Sequence, residues 1–149
     1  MALQVGDTVP HFSAIDSNGY PFEVKDYLGQ PMVIYFYPKD DTPGCTVQAC
    51  TFRDKYEDFK MLGTEVIGIS SDNLASHQKF VSKYKLPFIL LSDTDKKIRK
   101  EFGVPNDYLG LIPGRATYVI DKKGIVQFIF DSISAKIHIE KALEIIKTM

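Results

Sequence analysis

The sequence lacks the features that mark metalloproteins, disulfide-rich secreted domains and nucleic-acid-binding proteins. Its 149 residues include no tryptophan, two cysteines and three histidines, and the formal net charge is −1. Two cysteines are too few for a disulfide scaffold, and two sulfur ligands cannot complete a four-coordinate zinc site. The histidines His11, His77 and His138 fall in no metal-ligand spacing. We therefore expect no metal, and the near-zero charge gives no sign of a nucleic-acid or anionic-membrane partner.

The sequence also shows no long apolar run and no signal-peptide pattern. No stretch approaches the ~20 apolar residues that a membrane-spanning helix needs. The start, MALQVGDTVPHF, lacks a basic segment followed by an apolar core. The length suits one domain, and the contents of 44% hydrophobic and 25% charged residues are ordinary for a globular protein. We expect a soluble, cytoplasmic protein with a single domain over residues 1–149.

Strand and helix patterns alternate along the chain. HFSAIDSNGYPFEV predicts a hairpin that turns at Asn18 and Gly19, and PMVIYFYP predicts a central strand covered on both faces. Further short strands are predicted at TEVIGISS and FILLSD, and a closing hairpin at ATYVID and IVQFIF. Helices are predicted over 46–62, 74–84, 96–102 and 138–147. The alternation predicts an α/β layered fold, in which the closing hairpin makes the sheet mixed.

The helix that follows Cys45 carries an apolar stripe. The members of this stripe step by four and three positions, the helical period, and are Cys45, Ala49, Phe52, Tyr56 and Phe59. Cys50 lies ~140° around the helix from Cys45, close to the face that carries Asp54 and Glu57. We therefore expect Cys45 to begin the buried stripe and Cys50 to lie on or near the solvent side. Two different environments are what two different chemical roles would require.

The segment YPKDDTPGCTVQAC places Cys45 near a predicted helix N-terminus. Unpaired backbone N–H groups and a partial positive charge stabilise a thiolate there. Pro43 fixes its own φ angle, and Gly44 removes a side chain that would crowd the sulfur. The Thr42 hydroxyl is expected to cap the helix or to hydrogen-bond a substrate oxygen near the sulfur. The two roles are compatible, and the spacing favours the cap.

No cation close in sequence completes a thiolate site, because Lys39 is outnumbered by Asp40 and Asp41. The best distant candidate is Arg115 in LIPGRATYVID, just before a predicted strand, although an arginine there is often a solvated surface group. Arg53 lies about 80° off the stripe and is interpreted as a surface or packing residue.

The residues by themselves leave several functions open. A redox enzyme is favoured. A thiol–disulfide oxidoreductase would usually carry C-x-x-C, whereas four residues separate these cysteines. A binding or holdase module would keep its cysteines as buried packing residues. A Cys–His hydrolase is disfavoured because no histidine has a reason to lie near Cys45.

Motifs along nearly the whole chain resemble those of peroxiredoxins. PKDDTPGC fits P-x-x-x-T-x-x-C and resembles the peroxiredoxin active-site motif, with Pro38, Thr42 and Cys45 in the fixed places. CTVQAC, with a second cysteine five residues on, resembles the bacterioferritin comigratory protein, or peroxiredoxin Q, class. GRATYVID is similar to the family's arginine segment, and VGDTVPHFSAIDSNG and SSDNLASHQKFVSKYKLPFILLSD are also similar to this class. Two positions depart from the family pattern: Gln48 stands where the class often has glutamate, and Ala116 follows the arginine where the family often has a bulky residue.

The resemblance implies a thioredoxin-like fold with an N-terminal β-hairpin and a thiol peroxidase of the atypical 2-Cys type. It implies that Cys45 attacks a hydroperoxide and becomes a sulfenic acid, with Pro38, Thr42 and Arg115 completing the site. Cys50 is then expected to resolve the sulfenic acid as an intramolecular disulfide. A dithiol reductant such as thioredoxin is expected to reopen that disulfide. No metal, haem or flavin is implied, and we expect a monomer or a weak dimer.

Overall fold

The computed structural model describes residues 2–104, 106–107, 112–130 and 135–149. The strands are β1 Ser13–Asp16, β2 Pro21–Glu23, β3 Met32–Phe36, β4 Glu65–Ser70, β5 Ile89–Ser92, β6 Asn106–Asp107, β7 Ile112–Pro113, β8 Ala116–Ile120 and β9 Val126–Phe130. The helices are α1 Pro43–Met61, α2 Leu74–Tyr84, α3 Lys97–Phe102 and α4 Ala135–Lys147, with a short 3₁₀ helix at Val24–Tyr27.

A seven-stranded mixed sheet forms the centre of the fold, in the order β2-β1-β5-β4-β3-β8-β9. Strands β3, β4 and β5 run parallel and are joined through α1 and α2. Strand β8 is antiparallel to β3 and to β9, and β1 is antiparallel to β2 and to β5. This arrangement confirms the α/β layered fold with a mixed sheet that the alternating patterns predict.

Strand β3 is buried over its whole length because the sheet is covered on both faces. Val33 and Tyr35 point into one apolar cluster, which also includes residues of α1, α2 and α4. Ile34 and Phe36 point into a second cluster, which also includes residues of α3. An uninterrupted apolar run suits such a strand, because consecutive side chains alternate between two buried faces.

The register of β3 and β8 brings two distant parts of the chain to one edge of the sheet. The two strands run antiparallel, with Phe36 opposite Ala116. The residues that follow β3 therefore lie beside the residues that precede β8. One group begins the loop to α1 and the other includes Arg115, so this end of the sheet brings together two motif segments that are far apart in sequence.

Most element boundaries agree with the sequence predictions. Helix α2 covers 74–84 as expected, and the N-terminal hairpin turns at Gly19, which has a positive φ of 84°. Helix α1 begins at Pro43 rather than at residue 46, since proline is well suited to the first helical position. The 3₁₀ helix and the short pair of β6 and β7 were not predicted. No helix in the described ranges is long and apolar enough to cross a bilayer.

Candidate active site

Cys45 lies in the first turn of α1, with its side chain turned into the protein. Thr42 occupies the N-cap position, Pro43 begins the helix, and the thiol residue is only 2% exposed. The first backbone bond of this turn runs from the Thr46 N–H to the Thr42 carbonyl, at 2.8 Å. The N–H groups of Gly44 and Cys45 precede that bond and so have no intrahelical acceptor. The thiol consequently lies at the positive end of the helix.

Arg115 meets Cys45 although 70 positions separate them in sequence. Its Nη2 lies 3.4 Å from the Cys45 sulfur, and the residue is 7% exposed. A β-carbon on Gly44 would come 3.2 Å from the same nitrogen, so glycine leaves room for the guanidinium. The position that the sequence suggested for Arg115 is therefore confirmed, and the solvated surface alternative is wrong.

Gln48 is a third member of this cluster that the sequence did not assign to the site. It lies one turn after Cys45 on α1, is fully buried, and accepts a hydrogen bond from Arg115 Nη1 through Oε1. Its Nε2 has no hydrogen-bond partner among the described residues. The spacing of three positions from Cys45 could have identified it, because residues three apart on a helix are neighbours.

Thr42 has the position of a helix cap but not the expected cap bond. Its hydroxyl donates to the Lys39 carbonyl at 2.9 Å, and no side-chain cap bond to the helix is formed. The expectation of a capping hydroxyl is therefore wrong: the hydroxyl bonds back to the preceding loop, and its oxygen accepts no helix N–H. Pro38 is half-buried and lies between the end of β3 and this loop.

Asp40 is buried beneath the loop in a dense set of hydrogen bonds. Its Oδ1 accepts from the Tyr37 hydroxyl at 2.5 Å, and its Oδ2 accepts from the Ser76 hydroxyl at 2.9 Å. Its backbone N–H donates to Asp72 Oδ2 at 2.7 Å. Burial, followed by the charge of Asp40, raises the pKa of Tyr37 well above its ordinary range, so the phenol keeps its proton and remains a donor. A charged group this well satisfied fixes the loop in one position.

His77 holds the other side of Asp40 from within α2. Its Nδ1 lies 2.7 Å from Asp40 Oδ2, and its Nε2 lies 2.9 Å from the Leu91 carbonyl. His77 therefore bridges the Asp40 carboxyl group and the backbone of β5 at Leu91. The sequence treated His77 as one of three scattered histidines, and only the crossover through β4 brings it to the loop.

Asp41, the neighbour of Asp40, is exposed and is bound by the far end of α2. Lys83 Nζ lies 2.8 Å from its Oδ2, and the Tyr84 hydroxyl donates to its Oδ1 at 2.6 Å. The hydrogen bond from Lys83, followed by that from Tyr84, lowers the pKa of Asp41. Each of the two loop acids is thus paired with a basic residue of α2. The sequence analysis compared these acids only with Lys39 and did not predict the pairing.

Cys50 differs from Cys45 in its surroundings. It is half-buried, on the same unbroken helix, and both cysteines are thiols. The expected separation of a buried and a wetter thiol is therefore confirmed. Tyr35 lies in the core on the side of the two cysteines, and burial, followed by the charge of Cys45, raises its pKa well above the ordinary range.

Asp40, Asp72 and His77 also place potential ligand atoms within 4.8 Å of one another. The sequence did not predict this grouping, because Asp72 and His77 come to Asp40 only through the fold. Each of the three is already engaged in hydrogen bonds to neighbouring side chains or backbone. These bonds account for the cluster as a structural support of the loop.

The sequence matches the AhpC/TSA family over residues 5–129. The chain therefore belongs to the AhpC/TSA family. The curated relatives and the solved structures that it matches include peroxiredoxins. Its curated relatives include peroxiredoxin Q, chloroplastic, of Sedum lineare, which is 50% identical over 145 residues and covers 97% of this chain and 78% of its own. The Arabidopsis thaliana protein of the same name is 54% identical over 143 residues, covering 95% and 66%. The expected similarity to the peroxiredoxin Q class is confirmed.

Solved structures of the same class have the same fold. Peroxidoxin BcpB from Mycobacterium tuberculosis has a TM-score of 0.91 at 34% identity, over 99% of this chain and 98% of its own. Peroxiredoxin Q from Xanthomonas campestris has a TM-score of 0.85 at 30% identity, over 92% and 90%. The thioredoxin-like fold is thereby confirmed, and family membership implies thiol-dependent reduction of peroxide.

Proposed function

We propose that the protein reduces hydrogen peroxide and organic hydroperoxides through a Cys45 sulfenic acid that Cys50 resolves. The observation that carries the proposal is the position of the Arg115 guanidinium 3.4 Å from a buried thiol at a helix N-terminus. Both features stabilise the thiolate, which is the reactive form of cysteine. A Xanthomonas campestris bacterioferritin comigratory protein of the same fold is described for its alkyl peroxide reduction activity, which supports organic substrates.

In the first step the Cys45 thiolate attacks the terminal oxygen of the hydroperoxide. A sulfur–oxygen bond forms, the oxygen–oxygen bond breaks, and the leaving oxygen takes a proton and departs as alcohol or water. The sulfur is oxidised by two electrons to a sulfenic acid. Arg115 stabilises the thiolate and the charge that develops on the peroxide. The Thr42 hydroxyl and the N–H groups of Gly44 and Cys45 hold the two oxygens in line.

In the second step the Cys50 thiol condenses with the sulfenic acid, and water leaves as the disulfide forms. The intact helix prevents this step. Five residues along an α-helix give a rise of ~7.5 Å and an offset of ~140°, which separates the Cα atoms by about 8–9 Å. A disulfide needs a Cα separation below about 7 Å. Local unwinding of α1 between Cys45 and Cys50 must therefore accompany turnover, at a helix end where opening costs least.

In the third step a dithiol reductant such as thioredoxin reduces the disulfide by two thiol–disulfide exchanges. The reductant leaves oxidised, and both cysteines return to thiols. We propose that the protein acts in the cytoplasm as a monomer or weak dimer, and that the reaction needs no metal, haem or flavin.

A peroxide-consumption assay tests the proposal against its rivals. Reduced protein without a reductant should consume about one equivalent of peroxide and form one intramolecular disulfide, detected by intact mass. Added thioredoxin, thioredoxin reductase and NADPH should make the reaction catalytic with hydrogen peroxide, cumene hydroperoxide or tert-butyl hydroperoxide. A thiol–disulfide oxidoreductase would instead reduce insulin disulfides and leave peroxide untouched. A holdase module would show slow alkylation of both thiols and no peroxide consumption.

A further inference from the structure

Helix α2 contacts the residues on either side of a segment that contains the turn from Cys45 to Cys50, which the proposed reaction must unwind. This segment, residues 42–52, begins after Asp41 and ends before Arg53. Upstream, the Tyr84 hydroxyl donates to Asp41 Oδ1 at 2.6 Å. Downstream, Arg53 Nη1 donates to the Tyr84 carbonyl at 2.8 Å. Tyr84, at the end of α2, therefore forms hydrogen bonds with the residue before this segment and with the residue after it.

Lys83 strengthens the upstream attachment from the adjacent position. Its Nζ lies 2.8 Å from Asp41 Oδ2, so both oxygens of the Asp41 carboxylate are bound by α2. The same ammonium group lies 5.3 Å from the centre of the Tyr84 ring, which orders the two side chains together. We name Asp41, Arg53, Lys83 and Tyr84 the clamp.

Asp41, the loop residue bound by α2, has a left-handed backbone conformation. Asp41 has a φ of 56°, in the left-handed region that is uncommon outside glycine, although aspartate and asparagine adopt it more readily than other residues. Such a conformation persists where surrounding contacts hold it in place. The carboxylate bonds to Lys83 and Tyr84 are contacts of this kind, so their loss should let the loop before Cys45 relax.

Fixed ends restrict an unwound segment. An unwound chain of eleven residues is longer than the helix it replaces. When its two ends stay at the helical separation, the unwound segment has fewer conformations than a segment whose ends can move relative to each other. The clamp therefore opposes unwinding without touching either sulfur.

We propose that Lys83 and Tyr84 act as positioning residues that set how often residues 42–52 unwind, and thereby how the Cys45 sulfenic acid is partitioned. This inference rests on the proposed function. In the helical state, the sulfenic acid meets a second hydroperoxide; the peroxide bond breaks, an alcohol or water leaves, and the sulfur is oxidised by two further electrons to sulfinic acid. In the unwound state, the sulfenic acid condenses with the Cys50 thiol and releases water. A tighter clamp favours the sulfinic acid and a looser clamp favours the disulfide.

The test compares Tyr84→Phe and Lys83→Met with the wild-type protein. Each is cycled with thioredoxin and graded doses of hydrogen peroxide, and the sulfinic acid formed per turnover is measured by mass spectrometry. Loss of one hydrogen bond of ordinary strength should lower that yield about threefold. Hydrogen exchange of residues 44–52 in the reduced protein should become faster by a similar factor. Lys79→Met is the matched control, since Lys79 is an exposed lysine one turn earlier on α2.

A variant on the loop side guards against effects on folding. Asp41→Asn keeps a residue that tolerates a positive φ but removes the charge, and it should lower the sulfinic yield like Lys83→Met. Lys83→Met should then have no further effect in the Asp41→Asn background. Circular dichroism and thermal unfolding identify any variant that has lost its fold.

The outcomes separate this inference from the proposed function. A wild-type protein that forms the disulfide normally, with an unchanged sulfinic yield in Tyr84→Phe, would overturn the clamp and leave the proposed function standing. An increased yield, or an equal decrease in Lys79→Met, would also overturn the clamp. A wild-type protein that forms neither sulfenic acid nor disulfide would overturn both.

Discussion

Cys45 and Cys50 are five residues apart on one helix, yet the protein treats the two thiols differently. Cys45 lies at the helix N-terminus, 2% exposed, with an arginine nitrogen 3.4 Å from its sulfur. Cys50 lies ~140° around the helix from Cys45, is half-buried, and is on the side of the helix that carries exposed acidic residues. The comparison shows that one helix can hold two thiols in different surroundings, and the proposed function assigns them different roles on that basis.

The difference also shows why the two environments must be separate. A nucleophile needs a fixed position against its arginine and its helix N-terminus. A resolving thiol needs the opposite property, since it must leave its position to reach the first sulfur. The Cys50 side chain lies outside the core cluster that includes Cys45, Ala49 and Phe52, so its own departure leaves no gap in that cluster. The following predictions test this division, from the largest expected effect to the smallest.

Serine substitutions at the two cysteines should have unequal consequences. Cys45→Ser should abolish peroxide reduction, because the attacking sulfur is gone. Cys50→Ser should still consume about one equivalent of peroxide and then stop or proceed to sulfinic acid. Single-turnover peroxide consumption, with dimedone trapping of the sulfenic acid, measures both. An equal loss in the two variants would contradict the assignment of roles.

Removal of the arginine should affect one cysteine and spare the other. Arg115→Ala should slow the peroxide step more than tenfold, equivalent to about 1.4 kcal/mol or more of lost transition-state stabilisation. The alkylation rate of Cys45, measured in a Cys50→Ser background, should fall because less thiolate is present. The alkylation rate of Cys50, measured in a Cys45→Ser background, is the internal control and should stay unchanged. The rate of the peroxide step in Arg115→Lys should lie between those of wild type and Arg115→Ala, because lysine keeps the charge but lacks the planar guanidinium group. Equal slowing at both cysteines would show a general disturbance of α1.

Introduction of an acid beside the arginine should produce a smaller effect at the same cysteine. Gln48 accepts from Arg115 through an uncharged amide, so the positive charge of the guanidinium acts fully on the sulfur. In Gln48→Glu a carboxylate offsets part of that charge, and we expect the peroxide step to slow about threefold to tenfold. Stopped-flow measurement of Cys45 oxidation tests this. Gln48→Met, which has a similar volume and no charge, separates loss of the hydrogen bond from gain of the negative charge. A rate in Gln48→Glu equal to or above that of wild type would contradict it.

The smallest effect should come from pH acting on the exposed pair of Asp41 and Lys83. Hydrogen bonds lower the pKa of Asp41 and raise that of Lys83. The lowered pKa of Asp41 stabilises the folded state at pH values above the ordinary aspartate pKa of about 3.9. This contribution is lost as the pH falls through the lowered pKa. The raised pKa of Lys83 stabilises the folded state at pH values below the ordinary lysine pKa of about 10.4. This contribution is lost as the pH rises through the raised pKa. The difference in unfolding temperature between wild type and Lys83→Met should thus be constant from about pH 5 to 9 and should become smaller in acid. It should be small and fall with salt, because the pair is exposed.

Local pattern was sufficient for much of the fold. Three predictions depend only on residues that are near one another in sequence. They are the hairpin turn at Gly19, the buried strand β3 with its apolar run, and helix α1 with the four-and-three spacing of its stripe. Their periods and turn residues therefore predict hairpin, strand and helix directly. Errors appear at the start of α1, which begins at Pro43 rather than later, and at Thr42, whose hydroxyl donates to the Lys39 carbonyl and forms no cap bond with the helix.

The sequence by itself determined which side chains could carry the chemistry: two thiols of unequal exposure, a helix N-terminus in front of the first, and Arg115 as the candidate cation. Only the tertiary structure decided how these groups meet. Arg115 reaches Cys45 because β8 is antiparallel to β3 with Ala116 opposite Phe36. The two loop acids meet basic partners that lie 37 and 42 positions away, because the crossover through β4 returns α2 to the same end of the sheet. Strand register and crossover packing are properties of the whole sheet, and no local period in the sequence encodes them.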